Sequence, residues 1–206
     1  QDVQASVGSV YVDEFKRGYF PESCPPSSHA TMTFPKAART TGPVTLHWMD
    51  GGIQPARPEE LGPNEIFGDG GNGILLIGDK GKILADTYGE NARLLPTSRK
   101  ENVALKYERV PGAAGGHYAQ WVEACIAGYG KKEVSAPFEI SGPLTEALLM
   151  ANLAIRGADL RVDGRYPGRS LKLLWDNENM KVTNFDVVNQ FVKRNYRQGW
   201  DVKYTI

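Results

Sequence analysis

Cysteine is scarce in this chain: Cys24 and Cys125 are the only two among 206 residues. Two thiols supply neither a four-thiolate metal centre nor the dense cross-linking of a small secreted domain, so neither is expected to organise the fold. Cys125 falls in an apolar helical pattern and reads as a small core residue. Cys24, in Pro21-Glu22-Ser23-Cys24-Pro25-Pro26, reads as a loop residue open to solvent.

Long apolar runs are lacking too. None approaches the ~20 residues that a membrane-spanning helix requires, so no membrane partner is expected. Charge of one sign is also missing, because 24 Lys and Arg are matched by 24 Asp and Glu. Nucleic acids and anionic membranes recruit clustered Lys and Arg, so neither is an expected partner. Short pairs such as Lys131-Lys132 and Arg99-Lys100 read as solvated loop charges. The chain has no G-x-S-x-G elbow, no P-loop, no H-E-x-x-H and no CxxC. Asp176-Asn177-Glu178-Asn179 looks like a calcium loop but lacks the glycine and the later bidentate glutamate, and a turn accounts for it.

What is present is an ordinary globular composition, 41% hydrophobic and 23% charged. It suffices for one substantial domain, and a single domain over 1–206 is expected. Val3 to Phe15 favours a strand bent near Gly8, and the proline-containing stretch from Arg17 to Ser28 a loop. Strands are predicted at His29 to Pro35 and Pro43 to Trp48, either side of Arg39-Thr40-Thr41-Gly42. An irregular stretch rich in glycine and proline runs from Asp50 to Asn72. Gly73 to Asp86 holds two apolar runs around Gly78-Asp79-Lys80-Gly81, the pattern of a tight hairpin.

Tyr118 to Ala127 spaces Tyr118, Trp121, Val122, Cys125 and Ile126 as a helix, with Gly128 as its stop. Pro143 to Arg156 reads as a second helix, with Pro at its first turn and Leu144, Leu148, Ala151 and Ile155 on its buried face. A strand at Leu171 to Trp175 and a short helix from about Phe185 to Tyr196 follow. The predicted class is α+β: an open, mostly antiparallel β-sheet with helices packed on one face. So few helices cover one face only, and the bare face is expected to pack against another subunit or domain. Gly68-Asp69-Gly70-Gly71-Asn72-Gly73 matches G-x-G-x-x-G letter for letter. A dinucleotide site needs a helix after that loop, and a hairpin is predicted instead. A flexible loop is therefore expected, with no Rossmann domain and no cofactor-binding residue in this chain.

Six segments follow one another in a telling order: Trp48-Met49-Asp50-Gly51-Gly52, Pro55-Ala56-Arg57-Pro58-Glu59-Glu60-Leu61, Tyr88-Gly89-Glu90-Asn91-Ala92-Arg93-Leu94-Leu95-Pro96, Gly115-Gly116-His117-Tyr118, Gly142-Pro143-Leu144-Thr145-Glu146 and Trp175-Asp176. Together they resemble the C-terminal α/β domain of the Gfo/Idh/MocA oxidoreductases, over roughly Val44 to Asp201. The resemblance implies a parent enzyme that uses NAD or NADP on a sugar or polyol. It implies an N-terminal nucleotide-binding domain as partner and assembly into a homo-oligomer through the sheet face. The family's catalytic patterns, a Glu-Lys-Pro lysine and an Asp-x-x-x-His pair, do not occur here. His29, His47 and His117 each lack an aspartate four positions earlier. No catalytic residue is expected in this chain, which would be inactive alone. Its opening on Gln1 leads to the expectation of a fragment, a cleaved product or a mature form, with cytoplasmic location as the default and export also open.

Candidate substrate-binding residues come from side-chain chemistry. His117 follows Gly115-Gly116 at a predicted helix start, where backbone N–H groups and an imidazole can meet ligand oxygens; helix support against Trp121 is the alternative. Trp48 and Tyr88 offer aromatic faces for a sugar ring, while Arg57, Arg93, Asn91 and Asp50 offer groups that fork hydrogen bonds to vicinal hydroxyls. Against this, Arg57 can simply pin its loop by pairing with Glu59 or Glu60. His29 and His47 read as structural or surface residues. Two further functions stay open: a non-catalytic carbohydrate-binding or oligomerisation module, and part of an NAD-dependent glycoside hydrolase.

Overall fold

A computed structural model describes residues 1–99, 110–112 and 115–200. The chain forms two compact units: Gln1–Ile53 with Phe138–Ile206, and Gln54–Pro137. The fold is α+β, and every strand pairing among the described residues is antiparallel. Where the sequence suggested one sheet, the described residues hold three.

In the first unit, alternation sets the sheet. Strands β1 (Asp2–Val7), β4 (Ser28–Phe34) and β5 (Val44–Asp50) bury every second side chain of β1 and β4. The predicted strand over Val3 to Phe15 breaks at Gly8, and its remainder forms a small hairpin of β2 (Tyr11–Asp13) and β3 (Lys16–Arg17). A Cβ on Gly8 would lie 2.5 Å from the Ser27 hydroxyl oxygen, so the break sits where the chain passes close to the 26–27 segment. The five-stranded sheet is completed by β9 (Leu173–Asp176) and β10 (Lys181–Val182), in the order β10-β9-β1-β4-β5. The expected turn at Asp176 joins β9 to β10: its carboxylate accepts from the Glu178 and Asn179 backbone N–H groups at 3.1 and 3.0 Å.

Helix α2 (Phe138–Ala158) lies on one face of this sheet, against β1 and β4. The core joins Val3, Ala30, Met32, Leu173 and Trp175 to Met150, Ala151, Leu153 and Ala154. Fully burying a side chain the size of Met32 or Leu173 contributes about 1.5–3 kcal/mol. The helix starts five residues earlier than predicted and carries Pro143 in its interior. Its buried face also differs: Ala151 is buried, but Leu144 and Leu148 are exposed, and small residues down to Gly157 and Ala158 make the contact. A one-turn 3-10 helix, Pro167–Arg169, crosses the helix end so closely that a Cβ on Gly168 would lie 2.1 Å from the Gly157 carbonyl oxygen. The predicted terminal helix is a 3-10 segment over Asp186–Phe191. There the Asn189 amide pairs with the N–H and C=O of Val182 at 2.7 and 2.9 Å, serving β10 as a neighbouring strand would.

In the second unit the predicted hairpin forms as β6 (Ile74–Gly78) and β7 (Gly81–Ala85), with Asp79-Lys80 at the turn. A short β8 (Arg93–Leu95) adds a third strand. Leu61, Leu84 and Leu95 make its buried core, with Phe67 and Leu75 against them. Helix α1 (Gly116–Ala127) ends at Gly128 as predicted. Its apolar stripe is not buried, however: Tyr118, Trp121, Val122 and Ile126 are exposed, and so is Cys125, which was expected in the core. Cys24 is exposed as expected. Among the described residues no helix is long and apolar enough to cross a membrane.

Candidate functional site

Four of the seven residues expected to meet a sugar gather in the second unit, on the loop 57–66 and the connection from β7 to β8. The Arg57 guanidinium donates to the Gly62 and Glu65 carbonyls at 2.5 and 2.6 Å. Arg93 reaches the next carbonyl, Ile66, at 3.2 Å, and also donates to Asp86 and to the Asn91 carbonyl at 3.5 and 3.1 Å. Two arginines thus hold one stretch of backbone. Arg57 does pin its loop, but through carbonyls, while Glu60 pairs with Lys82 at 2.7 Å. That lysine's hydrogen bond is the main reason the Glu60 carboxyl titrates below its ordinary value.

The turn 86–91 is closed by Asp86 N–H to Glu90 O and Gly89 N–H to Asp86 O, both 2.9 Å. Asn91 sits at φ +48°, a left-handed conformation that asparagine tolerates, and its amide donates to Asp86 at 2.6 Å. Tyr88, on the same turn, is 89% exposed. Sequence reasoning passed over Asp86, the anchor of both Asn91 and Arg93. It also passed over Glu65, whose two carboxylate oxygens accept from the Thr97 hydroxyl and, at 2.6 Å, from the Gly62 N–H. The Thr97 bond is the largest of the causes that lower its pKa. Thr97 lies 32 residues from Glu65, and no local pattern links them.

His117 and Trp48 belong to other elements. His117 lies in the first turn of α1 and is exposed, its ring 3.9 Å from that of Tyr118. Gly116 before it is needed for packing, because a Cβ there would meet the Pro111 carbonyl oxygen at 1.9 Å. Trp48 belongs to β5 in the first unit and is half exposed. Asp50, two residues on, is occupied: its carboxylate accepts from the Ser28 N–H at 2.6 Å and the Ser28 hydroxyl at 2.9 Å.

The glycine-rich loop is ordered by its own aspartate. Asp69 accepts from the Thr87 hydroxyl and from the N–H groups of Gly71 and Asn72 at 2.9 and 2.7 Å. Those bonds, the Thr87 one foremost, hold its carboxyl down at about 2. The loop amides that a pyrophosphate would need are therefore engaged, and β6 follows where a dinucleotide site requires a helix. This loop thus lacks the strand–loop–helix setting of a dinucleotide fingerprint.

The first unit carries a groove of about 610 Å³ between the 19–25 loop and α2, lined by Tyr19, Phe20, Leu149, Arg156, Trp175 and Phe191 among others. None of the seven candidates lines it. In its lining, the Trp175 indole donates to Glu146 at 2.6 Å, joining two of the segments that carry the family resemblance. Compared with protein-family models and with curated proteins, the chain matches none of them.

Proposed function

We propose that this chain is the substrate-side and assembly domain of an NAD(P)-dependent sugar or polyol oxidoreductase of the Gfo/Idh/MocA type, inactive alone. The observation that carries the reading is the gathering of Arg57, Tyr88, Asn91 and Arg93 in one loop cluster. An exposed aromatic ring beside fixed amide and guanidinium donors is the chemistry that sorts a ring's C–H face from its hydroxyls. The clamped arginines set the loop's shape, and preformed shape limits the ordering cost of binding. Hydride transfer itself belongs to the nicotinamide of a nucleotide-binding domain supplied by the parent protein; this domain's part is to shape the pocket and position the substrate carbon. The bare sheet face carries Gln4, Ser6, Thr31, Thr33 and His47. Met49 and Leu174 share that face, so assembly through it would match hydrogen-bonding groups around a small apolar contact.

Calorimetry on the 206-residue chain tests this. Saturable binding of an aldose or polyol that weakens in Tyr88→Ala and Asn91→Ala is expected, with no binding of NAD(H). Micromolar NAD(H) binding would contradict it. The groove in the first unit favours a second reading, a carbohydrate-binding module without catalytic partners. Sugar binding lost in Phe20→Ala and unchanged in Tyr88→Ala would select that reading.

A further inference from the structure

The face of the five-stranded sheet opposite α2, offered above for assembly, also holds a cluster whose imidazole chemistry neither sugar binding nor assembly calls for. His29 on β4 and His47 on β5 lie diagonally across neighbouring strands, since His29 pairs with Met49 and His47 with Thr31. Their ring nitrogens face each other, His29 Nε2 to His47 Nδ1, at 3.1 Å. Thr31 Oγ1 completes a triangle, 3.4 Å from the first nitrogen and 3.2 Å from the second. We propose that these three atoms form one face of a coordination site for a divalent transition ion, with the two imidazoles as direct ligands.

The spacing argues for it. With Zn–N bonds of about 2.0–2.1 Å, two ligand atoms on one ion lie roughly 2.9 Å apart at a right angle and roughly 3.4 Å apart at the tetrahedral angle. All three sides of the triangle fall in that window. Two ring nitrogens that close cannot both present lone pairs without a proton or a cation between them. A proton on one ring satisfies the metal-free protein as an N–H···N bond; an ion satisfies both rings once each carries its proton on the far nitrogen. The rings are carried by the longest strand pairing in the sheet, seven residue pairs from Ser28–Asp50 to Phe34–Val44. Little backbone freedom therefore remains to be lost on binding.

Imidazole suits Zn²⁺, Cu²⁺ and Ni²⁺, whereas Ca²⁺ and Mg²⁺ call for oxygen ligands. Among the described residues, no group of three or more His, Cys, Asp and Glu could hold a metal ion. The site accordingly rests on two imidazoles and a hydroxyl, with water filling the other positions, an open arrangement rather than a closed structural one. A cavity of about 260 Å³ beside His29, lined also by Gln4, Ser6, Thr31 and Ser170, gives that water room. Arg169 lines the same cavity, but its charge is met by Asp159 at 3.1 Å and its Nε donates to the Ala158 carbonyl at 3.0 Å.

Zinc and copper titrations of the tag-free 206-residue chain test the proposal. Calorimetry should find one Zn²⁺ per chain, with affinity falling at least about tenfold in His29→Gln and in His47→Gln, since even outer-shell changes cost about 10–100-fold. His117→Gln, which removes the third histidine, should bind as the unaltered chain does. The Cu²⁺ electron paramagnetic spectrum should report two nitrogen ligands, and one in either variant, a readout that unfolding would not imitate. Absence of saturable Zn²⁺ binding, or equal binding in all three variants, would overturn the site. Neither result bears on sugar binding, so this inference and the proposed function fail separately.

Discussion

Asp69 and Glu146 do at single positions what the sequence pattern alone could not show. Asp69 gathers two loop N–H groups and the Thr87 hydroxyl, so a run of glycines that reads as flexible holds one shape. Its folded pKa of about 2 lies below the ordinary 3.8. The carboxylate's contribution is therefore complete above about pH 4 and is lost as the pH falls through the folded value. NMR should show the Gly71 and Asn72 amide shifts constant from neutrality to about pH 4 and moving with a midpoint near 2; a midpoint near 3.8 would deny these bonds. Glu146 accepts the indole N–H of Trp175, a residue buried to 7% exposure. Glu146→Leu should cost about 1–3 kcal/mol in urea unfolding by leaving that donor unpaired, and Glu146→Gln, which keeps an acceptor, much less. Both residues were visible as letters. Their partners, 18 and 29 positions away, were not. The same distance hid the His29–His47 pair, two histidines that read singly as surface residues.

Among the elements, β4, β5 and the β6–β7 hairpin were legible because each combines apolar alternation or runs with a clear turn. The strands β8 and β10, three and two residues long, carry no period to detect. The helices were found but their faces misread. Leu144 and Leu148 outweigh alanines in any hydrophobic count, yet α2 meets the sheet through Met150, Ala151, Leu153 and Ala154 and meets the 167–169 turn through Gly157. Close approach, not apolar bulk, selects that face. Gly168→Ala should therefore destabilise the chain by about 1–3 kcal/mol, because the new methyl must displace backbone rather than a side chain. Met32→Ala, at a fully buried position of β4, should cost about 2–5 kcal/mol. Denaturant unfolding measures both, and a neutral Gly168→Ala would show that the helix–turn contact is looser than its geometry.

For the whole molecule, the α+β class and the antiparallel sheet with α2 on one face follow from the sequence pattern. The division into two units does not, because the second unit is inserted between Ile53 and Phe138, and the glycine- and proline-rich stretch at its start reads as a loop of a single domain. The bare face, predicted as an assembly surface, mixes polar side chains such as Gln4, Ser6, Thr31 and His47 with Met49 and Leu174. Light scattering should give a dimer or larger, weakened by Gln4→Arg on that face; a strict monomer at high concentration would count against assembly. The proposed role turns on a nicotinamide partner. The decisive measurement is sugar-dependent formation of NADH or NADPH by the product of the complete gene, compared with the 206-residue chain alone. The account predicts turnover by the former with at least one aldose or polyol and none by the latter. A gene product no larger than 22.6 kDa, or one that reduces neither nicotinamide with any such substrate, would contradict it.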